Sequence, residues 1–111
     1  MTVLPIRIYG DPVLRQVAGE TPLDDWVRRL AADMIETMYD APGRGLAAPQ
    51  VGEPLRLFVM DCHWKDGVAK APQVFINPSF VERSDDQAVN EEGCLSIPGV
   101  PVDVSRPASV I

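Results

Sequence analysis

The chain has 111 residues, enough for one small domain with a modest core. Its 46% hydrophobic and 23% charged residues are ordinary for a folded soluble protein, and no apolar run approaches the ~18 residues of a membrane span. The net charge of −6 and a pI near 4.6 leave no basic patch, which argues against direct nucleic-acid binding.

In chain order, Val3 to Tyr9 reads as a short strand, ended by Gly10, Asp11 and Pro12. The segment lacks the charged start, apolar middle and small-residue cleavage site of a secretory signal, so the expected compartment is the cytoplasm, or an organelle in a eukaryote. Asp11 is placed to cap a single helical turn with Pro12 at its first position. The clearest element follows. Thr21, with Pro22 next and Asp24 three residues on, predicts a helix start, a variant of the capping box. Leu23, Val27, Leu30, Met34 and Met38 recur at helical spacing, and Trp26 and Ile35 widen the stripe. Trp26, Met34 and Met38 are expected in the core. Pro42 and Gly43 end the helix near Tyr39 or Asp40.

Strand-like texture takes over beyond the helix. Leu55 to Met60 is a β-type run, Lys65-Asp66-Gly67 a turn, and Val74 to Ile76 a second strand with Pro78 at its edge. Phe80 to Arg83 and Gln87 to Glu91 read as two arms flanking Ser84-Asp85-Asp86, whose acids fit a solvated loop. Val100 to Arg106 alternates, with Val102 and Val104 on one face and Asp103 and Ser105 on the other. Val110 and Ile111 are strand formers, an ending expected of a sheet cut short or of an edge strand.

Two segments carry chemistry. The first is Gly43-Arg44-Gly45-Leu46-Ala47-Ala48-Pro49-Gln50. Its glycines permit a close backbone approach, its alanines permit tight packing, and Gln50 offers both a donor and an acceptor. It lacks the Gly-Lys-Ser/Thr of a phosphate loop. The second is Glu92-Gly93-Cys94-Leu95-Ser96. Taken alone, Cys94 fits a small buried hydrophobe as well as it fits a ligand.

Together, Gly-x-Gly-x-Ala-Ala-x-Gln and Glu-Gly-Cys-Leu-Ser, with a helix before and strands between, resemble the peptide deformylases at every specified position. The family's third motif, His-Glu-x-x-His on a later helix, does not occur in the chain. The resemblance implies an α+β fold over residues 1–111: antiparallel sheets, an N-terminal packing helix, and a central helix missing from an apparently truncated domain. It implies metal-assisted hydrolysis of the formyl group on the N-terminal methionine of newly made proteins. It implies Fe²⁺ or Zn²⁺, incompletely bound here, with Cys94 as the ligand. Gln50 and the Leu95 backbone N–H would stabilise the oxyanion, and Gly45 would meet substrate through its main chain. Gly43, Glu92 and Gly93 would support the motifs, Glu92 by orienting the cysteine segment, while Leu46 packs. Arg44 departs from the aliphatic residue of many relatives; beside a methionine pocket it would offer only its stem. The implied partners are N-formylmethionyl nascent peptides, with the ribosome a further candidate.

Two other readings compete. One is a short, catalytically inactive relative that binds peptides at a sheet edge. The other is a thiol hydrolase pairing Cys94 with His63, the single histidine. Adjacent strand residues face opposite ways, so Cys62 and His63 converge poorly on one ion, and Cys62 is expected to be a partly buried strand residue. A Cys62–Cys94 disulfide is disfavoured in a cytosolic chain.

Overall fold

The structure is a computed structural model that describes residues 2–111. One helix, α1 (Asp25–Asp40), precedes five strands: β1 (Gly45–Ala47), β2 (Leu57–Met60), β3 (Gln73–Ile76), β4 (Gln87–Cys94) and β5 (Ile97–Pro107). They form an antiparallel sheet in the order β1-β2-β3 and a separate antiparallel hairpin, β4-β5. This is the expected α+β class.

The helix buries Val27, Leu30, Ala31, Met34, Thr37 and Met38 against Leu46, Leu57 and Val59 of the sheet. Leu46 therefore packs, as its type suggested. The helix begins four residues later than Thr21. Asp24 is the cap, its carboxylate accepting from the Val27 N–H. Thr21 is instead tied to Asn77, whose side chain accepts from the Thr21 N–H and donates to its carbonyl. That long-range pair holds Thr21 outside the helix. The late start also corrects the placement of Trp26. It lies in the first turn, at the margin of the buried stripe, and is 46% exposed; Leu23 is exposed before the helix begins.

Val3 to Tyr9 is not a strand. It is an extended strap whose backbone donors go to different elements: Leu4 to the Thr37 hydroxyl, Arg7 to the Gln50 carbonyl and Tyr9 to the Ser96 carbonyl. The turn after it forms as read, with Asp11 capping a 3-10 turn over Pro12–Arg15.

The two arms around Ser84-Asp85-Asp86 do not pair with each other. Arg83 bridges Val110, and the Val81 and Glu82 N–H groups donate to the Ile111 carbonyl. The Gln87 arm pairs with β5, from Gln87 opposite Pro107 to Cys94 opposite Ile97. Burial along β5 does not follow the alternation read from the sequence: Val100 and Val102 are exposed, as are Asp103 and Ser105, and Val104 is half-buried. No helix among the described residues is long and apolar enough to cross a membrane.

Candidate functional site

The first motif is built by the end of α1. The Gly43 N–H reaches back 2.7 Å to the Met38 carbonyl and closes the helix. Gly43 is buried, and a Cβ there would fall 2.7 Å from Leu95 Cδ1. The glycine leaves room for the Leu95 side chain of the second motif, which would have to shift if a Cβ were added. Gly45 differs: its nearest neighbour would be the Val59 carbonyl at 3.8 Å, so nothing within the chain crowds it. Gly45 lies on β1, whose far edge carries no partner strand among the described residues.

After β1, Ala48–Val51 forms a 3-10 turn that folds Gln50 back over Ala47. The Ala47 N–H donates to Gln50 Oε1 at 2.9 Å. The amide end is thereby aimed the other way. Gln50 Nε2 donates to Ser96 Oγ at 3.2 Å and to Cys94 Sγ at 3.7 Å. Two motifs 44 residues apart thus meet at one carboxamide. Ser96, not singled out from sequence, is 4% exposed and accepts both Gln50 and, at its carbonyl, Tyr9. Its position two residues after the cysteine was the available signal.

Cys94 ends β4, and Leu95 and Ser96 form the turn to β5. The register shifts between Glu92 and Cys94, which places Gly93 in the irregularity with open space around it. The Leu95 side chain packs on Gly43 and the core, while its N–H has no acceptor among the described residues. Glu92 holds Arg106 on the neighbouring strand by two bonds of 2.5 and 2.7 Å. That pairing keeps the Glu92 carboxyl below its ordinary range and the Arg106 guanidinium above its own. Glu92 thus ties β4 to β5 two residues before Cys94.

These parts frame a cleft of about 910 Å³, with Gly45, Gln50, Cys94, Leu95, Arg44 and Lys65 among the residues on its walls. Arg44 is turned to the loop after β2. Its guanidinium donates to the Cys62 carbonyl and forks onto the Asp66 carboxylate at 3.0 and 3.3 Å. The fork holds the Asp66 carboxyl low, with His63 assisting. The same loop grips the motif again: Trp64 Nε1 donates to the Gly43 carbonyl and Lys65 Nζ to the Pro42 carbonyl. Behind it, buried Asp61 accepts from the Tyr39 hydroxyl at 2.6 Å and the Ala71 N–H at 2.8 Å. Burial and the Asp61 carboxylate push the Tyr39 hydroxyl up to about 12.

Cys62 follows β2 and is exposed, which corrects its reading as a half-buried strand residue; the chain leaves the sheet at Met60. Both cysteines are free thiols. His63 is exposed and faces Asp66 at 3.4 Å. Among the described residues, no three His, Cys, Asp or Glu side chains gather as a metal centre would need. The donor set of these residues does not fit a complete metal site: Cys94 is a single thiol beside neutral hydrogen-bonding groups.

The motif pair, now one cleft with a thiol and an aimed amide, has close counterparts. The family model for polypeptide deformylase matches residues 3–111, and the chain belongs to that family. It is 54% identical to the peptide deformylase of Brucella suis and 63% identical to that of Afipia carboxidovorans, in each case over 99% of the chain. It spans 63% and 64% of the length of those two relatives. A Met-Ala-Ser-bound peptide deformylase from Acinetobacter baumannii superposes with a TM-score of 0.87 at 31% identity, covering 98% of this chain and 74% of the other. Nothing in these comparisons supports a separate class of peptide-binding module.

Proposed function

We propose that the chain is part of a peptide deformylase that hydrolyses the formyl amide on the N-terminal methionine of newly made proteins, releasing formate. The observation that carries this is Gln50, locked through its oxygen onto Ala47 so that its amide N–H₂ points at Cys94 on the cleft wall and at buried Ser96. A carbonyl held there would meet two donors, Gln50 Nε2 and the Leu95 N–H, where charge develops on its oxygen. The unpaired edge of β1 at Gly45 offers main-chain groups to an extended peptide. The Met-Ala-Ser peptide on the similar Acinetobacter enzyme supports a substrate of that kind.

Cys94 is proposed as one ligand of an iron or zinc ion. The other ligands, and the glutamate that would move the proton, are proposed to come from a His-Glu-x-x-His helix outside these residues. With one ligand in hand, the 111 residues bind such an ion weakly and turn over little substrate by themselves. The partners are formylated nascent chains, with the ribosome as the place of encounter, in the cytoplasm or an organelle.

The test is formate release from formyl-Met-Ala-Ser under anaerobic conditions with added Fe²⁺ or Ni²⁺. The chain alone should show no useful turnover. Adding a peptide that carries His-Glu-x-x-His should restore it, and Cys94→Ala should abolish what is restored. Restored turnover that survives Cys94→Ala would refute the ligand role. Turnover by the chain alone, within tenfold of a complete enzyme, would show that the catalytic base lies elsewhere.

A further inference from the structure

Resting on the deformylase reading, we infer that Lys65 is a specificity-determining residue that favours an acidic side chain at the third position of the peptide. The argument starts from direction. Gln50 is fixed beside Ala47, at the C-terminal end of β1, and Cys94 lies with it. A peptide that pairs with the free edge of β1 and presents its N-terminal end to these groups must run antiparallel to β1, toward Arg44, Gly43 and Pro42. With its methionine opposite Gly45, the first residue of β1, its second and third residues run beyond the strand, past Arg44, since Gly43 is buried with its N–H on the Met38 carbonyl and its own carbonyl accepting from Trp64. Strand residues advance about 3.4 Å each, so the third is roughly 7 Å from the first.

Lys65 is waiting at that end. Its Nζ donates to the Pro42 carbonyl at 2.8 Å, which places the exposed ammonium at the cleft wall. It forms no ion pair among the described residues. The carboxylate next to it in sequence, Asp66, is already engaged by Arg44 and His63. Arg44, the other cation lining the cleft, is therefore neutralised; Lys65 keeps its charge unpaired on the cleft wall, while Lys70, also outside any ion pair among the described residues, sits over the Tyr39 and Trp64 rings. Glu91 faces the cleft from the hairpin and is also outside any ion pair among the described residues. It opposes the preference, so the net selectivity is modest. An exposed pair of this kind is worth about two- to fivefold in affinity at low salt and less as salt rises.

The experiment compares C-terminally amidated formyl-Met-Ala-Glu, formyl-Met-Ala-Gln and formyl-Met-Ala-Lys, binding measured on the full chain by tryptophan fluorescence at low and high salt. Amidation removes the terminal carboxylate as a rival anion. The glutamate peptide should bind about two- to fivefold more tightly than the glutamine peptide, and the lysine peptide more weakly than both. Lys65→Met should equalise the first two, Lys65→Glu should favour the lysine peptide, and Glu91→Gln should widen the preference for glutamate. Equal binding of the three peptides would overturn the role of Lys65 while leaving the deformylase reading intact. Binding of none of them would overturn both.

Discussion

Replacing Gln50 by alanine tests whether one carboxamide really joins the two motifs. The substitution removes the acceptor of the Ala47 N–H and the donor to Ser96 Oγ, leaving a nearly buried hydroxyl without that partner. Each ordinary hydrogen bond contributes about 0.5–1.5 kcal/mol net, so the pair is worth roughly 1–3 kcal/mol. The 3.7 Å contact to sulfur adds little. The Gln50 carbonyl keeps its bond from the Arg7 N–H, so the N-terminal strap stays attached and the loss is confined to the side chain. Urea unfolding followed by tryptophan fluorescence gives the number, and the cycle with Ser96→Ala isolates the Gln50–Ser96 share at about 0.5–1.5 kcal/mol. Gln50→Ala within about 0.3 kcal/mol of the parent, or a coupling indistinguishable from zero, would refute the bridge. In the complemented enzyme the same change should cost about 100- to 1,000-fold in turnover if the amide serves the oxyanion.

Two further outcomes follow from the frame around the site. Tyr39 holds its proton more tightly when folded, its pKa raised from 10.0 to about 12, so its share of stability is complete below pH 10 and lost as pH rises toward 12. Alkaline unfolding of the parent should therefore lose stability across that window that Tyr39→Phe does not lose, and identical pH profiles would count against the Tyr39–Asp61 bond. Asp24→Ala should cost about 1 kcal/mol and reduce helicity measured by circular dichroism, whereas Thr21→Ala should leave helicity unchanged; the reverse order would return the cap to Thr21.

What the sequence disclosed, and what it withheld, divides by range. The buried stripe Val27, Leu30, Met34 and Met38 follows from 3.6-residue spacing, which is local. The helix start was misplaced because Thr21 and Asp24 are both acceptable caps. The choice between them is made by Asn77, 56 residues from Thr21. Val3 to Tyr9 has strand composition, but its donors are claimed by Thr37, Gln50 and Ser96 on separate elements, so no ladder forms. Gly43 was legible as a close approach, though not what approached it. Arg44 and the loop from Asp61 to Gly67 were least legible, since their bonds join segments with no shared periodicity.

The position of the Cys94 thiol depends on few attachments. Strands β4 and β5 hold each other, and Glu92–Arg106 locks their register, yet both expose valines. Near the thiol, the hairpin meets the helix-and-sheet body through its turn: Ser96 to Tyr9 and Gln50, and Leu95 into the space that Gly43 leaves. The body's side of that joint is itself fixed from behind, by Trp64 on Gly43 and by Arg44 on Asp66. Placing the reactive groups therefore requires two supports in series, one on each side of the cleft. A side chain at Gly43 meets Leu95, the residue after Cys94, and must displace its side chain, which ties the packing of the first motif to that of the second. The two motifs therefore meet at two places, the Gln50 carboxamide on Ser96 and Cys94 and the Leu95 side chain on Gly43.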